Sequence, residues 1–275
     1  MGDYSKKKIY KSEKNTIITN MTIRLKTNGF VLCGFDTNND LLFIEEFNAL
    51  KNNIEIKSNL DCLLTEYESE IRSSSITFIC PVEYFAMVPK QYFDENNQKS
   101  YFLHAINSND IDSYSFLHTA ISYDTICISA IEKSMYETIK RTFPNSMLSS
   151  EADLMMSVCS EDFLKRIVDK KTFLYLNFQQ HKCDIVEFAD GKLVLVNRIS
   201  FNTIENFIYH ILNTIHQTGQ FVETTEIILL GDIEKQSGIV MGLSRYFNRI
   251  HFMRTDIEDM PENISHNYKI ETIIK

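Results

Sequence analysis

The residue types that do chemistry are few in this chain and thinly spread. His181, Cys183 and Asp184 crowd one predicted turn. Imidazole, thiolate and carboxylate are the ligands zinc takes, so this is the start of a metal corner. No further ligand is evident, and a turn followed by an alternating strand accounts for the same residues, so no metal is expected. His210 and His216 stand six apart on a helical stretch and do not share a face well. Glu45-Glu46 is a pair of adjacent carboxylates. It lies in a predicted strand, where neighbours point to opposite faces, which makes the two poor acid–base partners. A Walker loop, Gly-x-Gly-x-x-Gly, His-Glu-x-x-His and Gly-x-Ser-x-Gly are all missing. Of the six cysteines, Cys33, Cys62, Cys80 and Cys127 sit in apolar runs, where a free thiol is a small core hydrophobe.

Two further clusters concern partners. Lys6, Lys7, Lys8, Lys11 and Lys14 form a basic cluster that is able to touch an anionic surface. It reads more simply as a solvated, frayed terminus. Tyr84, Phe85, Tyr92, Phe93, Tyr101 and Phe102 are dense enough to line a partner groove, or to pack as a core beneath an insertion.

These residues are positioned by a pattern that occurs twice. In the second half, 173–178, 182–188 and 193–199 read as three strands joined by tight turns, the second of them Asp190-Gly191. A helix follows, with apolar residues at Phe201, Ile204, Phe207, Ile208, Ile211, Leu212 and Ile215, capped by Asn202 with Glu205. Then come a buried strand, Glu226–Leu230, and a helix whose Gly238 and Gly242 offer a thin face for close approach. Residues 250–253 form a last short strand. The first half repeats this order: strands at 21–25, 30–35 and 41–47, a helix over 58–71, and a strand at 76–80. Extra material follows, with a helix expected over 90–106, strands at 114–119 and 125–130, and helices over 131–143 and 149–168.

The 275 residues carry 37 acidic and 28 basic side chains, a net charge of −9. That balance argues against a broad nucleic-acid footprint, which needs clustered basic residues. At 44% hydrophobic, with eight Gly and four Pro, the chain is globular and not a linker or a disordered acidic tail. No export signal and no apolar run of membrane-spanning length is visible, so a cytoplasmic location is expected. The expected domains are a polar leader at 1–20, a first half at 21–165 with an insertion, and a second half at 170–275.

Three stretches carry a family resemblance: ITFICPVEYFAMVPKQYFD (76–94), FLYLNFQQHKCDIVEFADGKLVLVNRISF (173–201) and IILLGDIEKQSG (227–238). Through them the sequence resembles DUF3822, a family of Bacteroidetes proteins of unknown function described as having an actin-like ATPase fold. The likeness runs over nearly the whole chain after residue 20. It implies an α/β chain with a duplicated actin-like ATPase (ribonuclease H-like) fold and mixed five-stranded sheets with helices. In active members of that superfamily the first hairpin of each half is an Asp-x-Gly phosphate loop. The Asp organises Mg²⁺ or water, and the Gly admits phosphate to backbone N–H groups. Here Arg24 and Lys26 stand at those places in the first half, and Asn177 and Gln179 in the second. Where a Gly-Gly pair serves the adenosine, the chain has Gly231-Asp232. Gly231 still permits close approach; Asp232 is suited to accept from a ribose hydroxyl or to cap the next helix. With all three motifs worn, ATP hydrolysis is expected to be lost and no cofactor is expected. The resemblance therefore implies a non-catalytic module that binds a protein partner or itself. Binding of ATP or ADP through Arg24 or Lys26, with weak ATPase activity or none and without a metal, stays open as the alternative.

Overall fold

The computed structural model describes residues 4–13, 16–26, 28–50, 56–166, 171–179, 182–253 and 272. The chain divides into two compact units, Met1–Leu154 with Glu271–Lys275, and Met155–Ile270.

In the first unit β1 (Tyr4–Lys11) precedes a meander of β2 (Asn20–Lys26), β3 (Gly29–Phe35) and β4 (Leu41–Ala49). The Asn28-Gly29 turn needs its glycine. Gly29 has φ +135°, and a Cβ there would collide with the Phe47 carbonyl. Helices α1 (Ile56–Glu66) and α2 (Glu68–Ser73) lead to β5 (Ser75–Cys80), which runs parallel to β2. The helix expected over 58–71 is thus two helices that break at Tyr67, a residue packed in the core. Next come β6 (Tyr84–Pro89), β7 (Tyr114–Ile121), β8 (Thr125–Glu132), α3 (Lys133–Thr142) and β9 (Met147–Ser150). The main sheet has the order β1-β4-β3-β2-β5-β9. Its core gathers Ile23, Phe30, Leu32 and Phe78 from the strands with Leu60 and Leu63 of α1 and Ile139 of α3.

Two expectations change here. Residues 4–11, read from the sequence as part of a frayed leader, form a strand antiparallel to β4, so this sheet has six strands where five were expected. Tyr4 fixes its start, donating its hydroxyl to Asn59 Oδ1 at 2.6 Å. The helix expected over 90–106 is a pair of 3₁₀ segments, Lys90–Tyr92 and Glu95–Phe102. The reason is local. Asp94 accepts the Asn96 N–H, and the polar run Glu95–Ser100 offers no apolar face for a longer helix to bury. The aromatics of this region serve mainly as a core. Phe102 is buried with Ile106, Ile111 and Ile128, while Tyr84, Phe93 and Tyr101 pack against that cluster over the antiparallel sheet β6-β8-β7. Tyr92 is the exception, at 68% exposure.

Helix α4 (Glu151–Arg166) carries the chain into the second unit. There β10 (Thr172–Gln179), β11 (Lys182–Ala189) and β12 (Lys192–Ser200) form the second meander. Helix α5 (Ile204–Gln217), β13 (Thr225–Gly231), α6 (Gly238–Leu243) and β14 (Ile250–Phe252) complete a sheet of order β12-β11-β10-β13-β14. Asp190 and Gly191 both have positive φ, as the primed turns require. The α5 cap is Thr203, one residue beyond the Asn202 expected; its Oγ1 accepts the Asn206 N–H at 3.1 Å. Gly238 and Gly242 keep their expected role, because α5 approaches through Ile204 and Ile208 so closely that a Cβ at Gly238 would sit 2.6 Å from Ile204 Cδ1. Both units therefore present a meander, a helical segment and a parallel strand.

Candidate functional site

Register in the second unit decides what the candidate residues meet. β10 and β11 pair antiparallel with Asn177 opposite Asp184, and β11 pairs with β12 so that Asp184 lies opposite Arg198. β13 runs parallel to β10 and sets Gly231 beside Phe178. Asn177, Gln179, Gly231 and Asp232 thus gather where β10 and β13 both end. Arg24 and Lys26 belong to the first unit and end its β2.

At the centre of the second group is Asp184, only 1% exposed. Arg198 donates to both of its oxygens, from Nε to Oδ1 and from Nη2 to Oδ2 at 3.1 Å. This is the two-pronged geometry that gives guanidinium–carboxylate pairs their strength. Asn177 Nδ2 at 3.1 Å and Gln179 Nε2 at 3.4 Å complete the shell. Asn177 and Gln179 here spend their amide donors on the chain's own carboxylate. Asn177 Oδ1 is buried without a hydrogen-bond partner and faces Gly231, 2.6 Å from where a Cβ would stand.

Gly231 has φ +79°, and a Cβ would collide with the Phe178 carbonyl, so the space its missing side chain leaves is filled by β10 itself. The Asp232 N–H donates to Phe178 O at 2.8 Å, which pins the strand end. Asp232 does not cap the next helix. Ser237 does, its Oγ accepting from Val240 N at 3.4 Å, because the helix begins only at Gly238.

The first-unit cations are also taken. Arg24 is buried, and its Nε donates to Glu151 Oε1 at 2.8 Å. Lys26 Nζ bonds Glu46 Oε1 at 2.8 Å. Glu151 opens α4 beside a reciprocal cap. Ser150 Oγ accepts the Asp153 N–H at 3.0 Å and Asp153 Oδ1 accepts the Ser150 N–H at 2.8 Å. Thr119 and Ser149 donate to the other Asp153 oxygen at 2.8 and 3.1 Å. The pattern Ser-x-x-Asp at 150–153 signals this cap in the sequence. Nothing local signals the Arg24–Glu151 pair, which joins residues 127 positions apart.

The buried thiols are not set up as nucleophiles. Burial pushes the Cys80 thiol up to about 12, reinforced by Glu151 and Asp153. Cys159 and Cys183 are likewise raised by burial, with Asp184 adding to both. A thiol held protonated is a poor nucleophile. His181, one member of the supposed metal corner, lies outside the described residues. Its neighbour Cys183 donates to the Asp184 carbonyl at 3.5 Å. Among the described residues no group of three or more His, Cys, Asp or Glu is arranged to hold a metal ion. The residues also do not fit a magnesium-bound nucleotide. Asp184, the carboxylate at the loop, is neutralised by Arg198, and the Gly231 approach is filled by backbone. Sequence reasoning missed the Asp184–Arg198 pair, although a tight turn between 179 and 182 is enough to place Asn177 and Asp184 face to face.

Comparison with known proteins follows the same lines. A family model described as "Protein of unknown function (DUF3822)" matches residues 6–250. No curated protein matches the sequence. A Bacteroides thetaiotaomicron VPI-5482 protein with an actin-like ATPase fold and unknown function is 19% identical, with TM-score 0.73 over 92% of this chain and 94% of that one. A chain of the PilM-PilN type IV pilus biogenesis complex is 10% identical, with TM-score 0.62 over 92% and 96%. The ethanolamine utilization protein EutJ of Carboxydothermus hydrogenoformans is 7% identical, with TM-score 0.50 over 93% and 90%. These likenesses identify the actin-like ATPase fold. Among the described residues no helix is long and apolar enough to cross a membrane.

Proposed function

The chain belongs to the DUF3822 family of proteins of unknown function, and we propose that it works by binding another protein, not by turning over nucleotide. One observation carries this reading: at the hairpin where the fold's active members receive phosphate, Asp184 is closed on Arg198, Asn177 and Gln179. Phosphoryl transfer needs free carboxylates for Mg²⁺ and backbone donors open to phosphate. Here the carboxylate is neutralised, and Gly231 meets its own neighbouring strand. Arg24 and Lys26, the cations the alternative reading assigns to phosphate, face Glu151 and Glu46. What remains is a duplicated scaffold, and a scaffold of this kind acts through its surfaces. A chain of the same fold occurs in the PilM-PilN complex, which is support by analogy of fold alone. Cytoplasmic location is part of the same reading.

The test is isothermal titration of the whole chain with ATP and with ADP, each with and without Mg²⁺, beside co-purification from native extract. No heat at millimolar nucleotide, together with recovery of the same protein partner in repeated preparations, is the expected outcome. Heat with saturable stoichiometry, or repeated purification without any partner, overturns the reading.

A further inference from the structure

Strand β1 is the edge of the six-stranded sheet, and it is unusually basic for an acidic chain. Its only hydrogen-bonded neighbour among the described strands is β4, so from Ser5 to Lys11 no described strand pairs with its other edge. Four of its eight residues are lysines. Lys6 is occupied: its Nζ lies 2.8 Å from Glu45 Oε2 and 2.8 Å from the Tyr67 hydroxyl. Lys7, Lys8 and Lys11 are exposed, and among the described residues they have no ion pair. Three lysines that have no ion pair among the described residues thus line one edge of a chain whose net charge is −9, with Glu46 and Glu45 across from Lys7 and Lys8 on β4.

A bulge orders them. The register slips between Lys8 and Tyr10, so that Lys8 faces Glu45 and Lys11 faces Phe43. Those partners lie two residues apart on β4, on the same face of the sheet. Without the slip, Lys8 and Lys11 would point to opposite faces. With it they stand on one face about 7 Å apart, the spacing of alternate residues in a strand. Lys7 stands on the other face, opposite Glu46.

The geometry points to β1 as a docking edge for an acidic extended segment of a partner protein. Such a segment would add a seventh strand, with its main chain on the free edge and carboxylates at alternate positions meeting Lys8 and Lys11. Lysines on an edge commonly keep neutral strands away; the same charges leave an acidic strand as the kind that this edge admits. A membrane surface is a poorer fit, because the exposed run Ser5–Lys8 offers no apolar side chain to insert. Nucleic acid is poorer still, since three exposed lysines on one short strand fall short of the clustered basic surface that phosphates require of a chain with net charge −9. This inference rests on the protein-binding reading above and names its surface.

The probe is a labelled ten-residue peptide alternating Glu and Val, titrated into the whole chain at low salt. Its counterparts are the same peptide with Gln for Glu, and one N-methylated at alternate residues so that it cannot pair along an edge. Saturable binding is expected, weakened about tenfold or more by Gln, by N-methylation, and by the triple variant Lys7→Ser, Lys8→Ser, Lys11→Ser. Replacing the three lysines by Arg should preserve it. These side chains are exposed, so the variants should unfold as the parent does. No binding at about 1 mM peptide, binding indifferent to N-methylation, or preference for phosphatidylserine vesicles or single-stranded DNA overturns the inference. If native extract yields the same partner with the parent and with the triple variant, this edge is wrong while the protein-binding reading stands.

Discussion

Replacing Arg198 by Ala tests the central feature of the second unit. The substitution removes the cation that spans both oxygens of Asp184 and leaves a carboxylate that is 1% exposed. Breaking a buried ion pair from one side costs about 3–5 kcal/mol, because the remaining charge stays dehydrated. Two amides, from Asn177 and Gln179, still donate to Asp184. Each hydrogen bond to a charged group is worth about 1.5–3 kcal/mol, so the loss should fall at the lower end, about 3 kcal/mol. The pair itself is another matter, since desolvation offsets most of its attraction. A double variant, Asp184→Leu with Arg198→Met, should therefore recover only part of the loss, because it removes both charges but leaves the buried Asn177 amide without its acceptor, at a cost of about 1–3 kcal/mol. Equilibrium urea unfolding followed by far-ultraviolet dichroism measures both. The chain has two compact units, so the second unit's transition is the one that should move. A loss below about 1 kcal/mol for Arg198→Ala, the range of an exposed pair, would refute the claim that this ion pair is buried and closed.

Gly231→Ala should cost about 1–3 kcal/mol, because it forces a side chain into left-handed backbone and against the Phe178 carbonyl; thermal unfolding unchanged by the substitution would show that the strand end has room. Glu187 is buried on β11, and burial raises its carboxyl despite a hydrogen bond from Thr218 at 2.8 Å. In the unfolded chain this carboxyl ionises first, near its ordinary value, so stability should fall as pH rises from there through the raised folded value. Glu187→Gln should flatten that step and leave the protein more stable at neutral pH; an unchanged pH profile in urea titrations would count against it.

The fold was legible because each half writes its meander in local terms. Asn28-Gly29 and Asp190-Gly191 mark turns, the apolar runs between them mark strands, and the 3.6-residue stripe from Ile204 to Ile215 marks α5. Legibility failed where position depends on distant partners. β1 is half lysine and looks like a tail, yet it pairs along β4 and is tied down by Tyr4 and Lys6. The stretch after Lys90 failed for the opposite reason. It has helix-compatible composition, but Asp94 and the asparagines favour local side-chain bonds over a continuous helix.

The site shows why residue type alone misleads. Asn177 and Gln179 lack the charge and the small size that phosphate chemistry asks for, and the sequence says that much directly. It does not say what they do instead. That follows from strand register, which sets Asn177 and Arg198 on either side of Asp184. Once those three are neighbours, the amides have a carboxylate to satisfy and the arginine has a charge to neutralise. The facing ends of β10 and β11 are then held together by the chain's own side chains. Asn177→Asp alone would therefore set a second carboxylate against Asp184, in competition for Arg198.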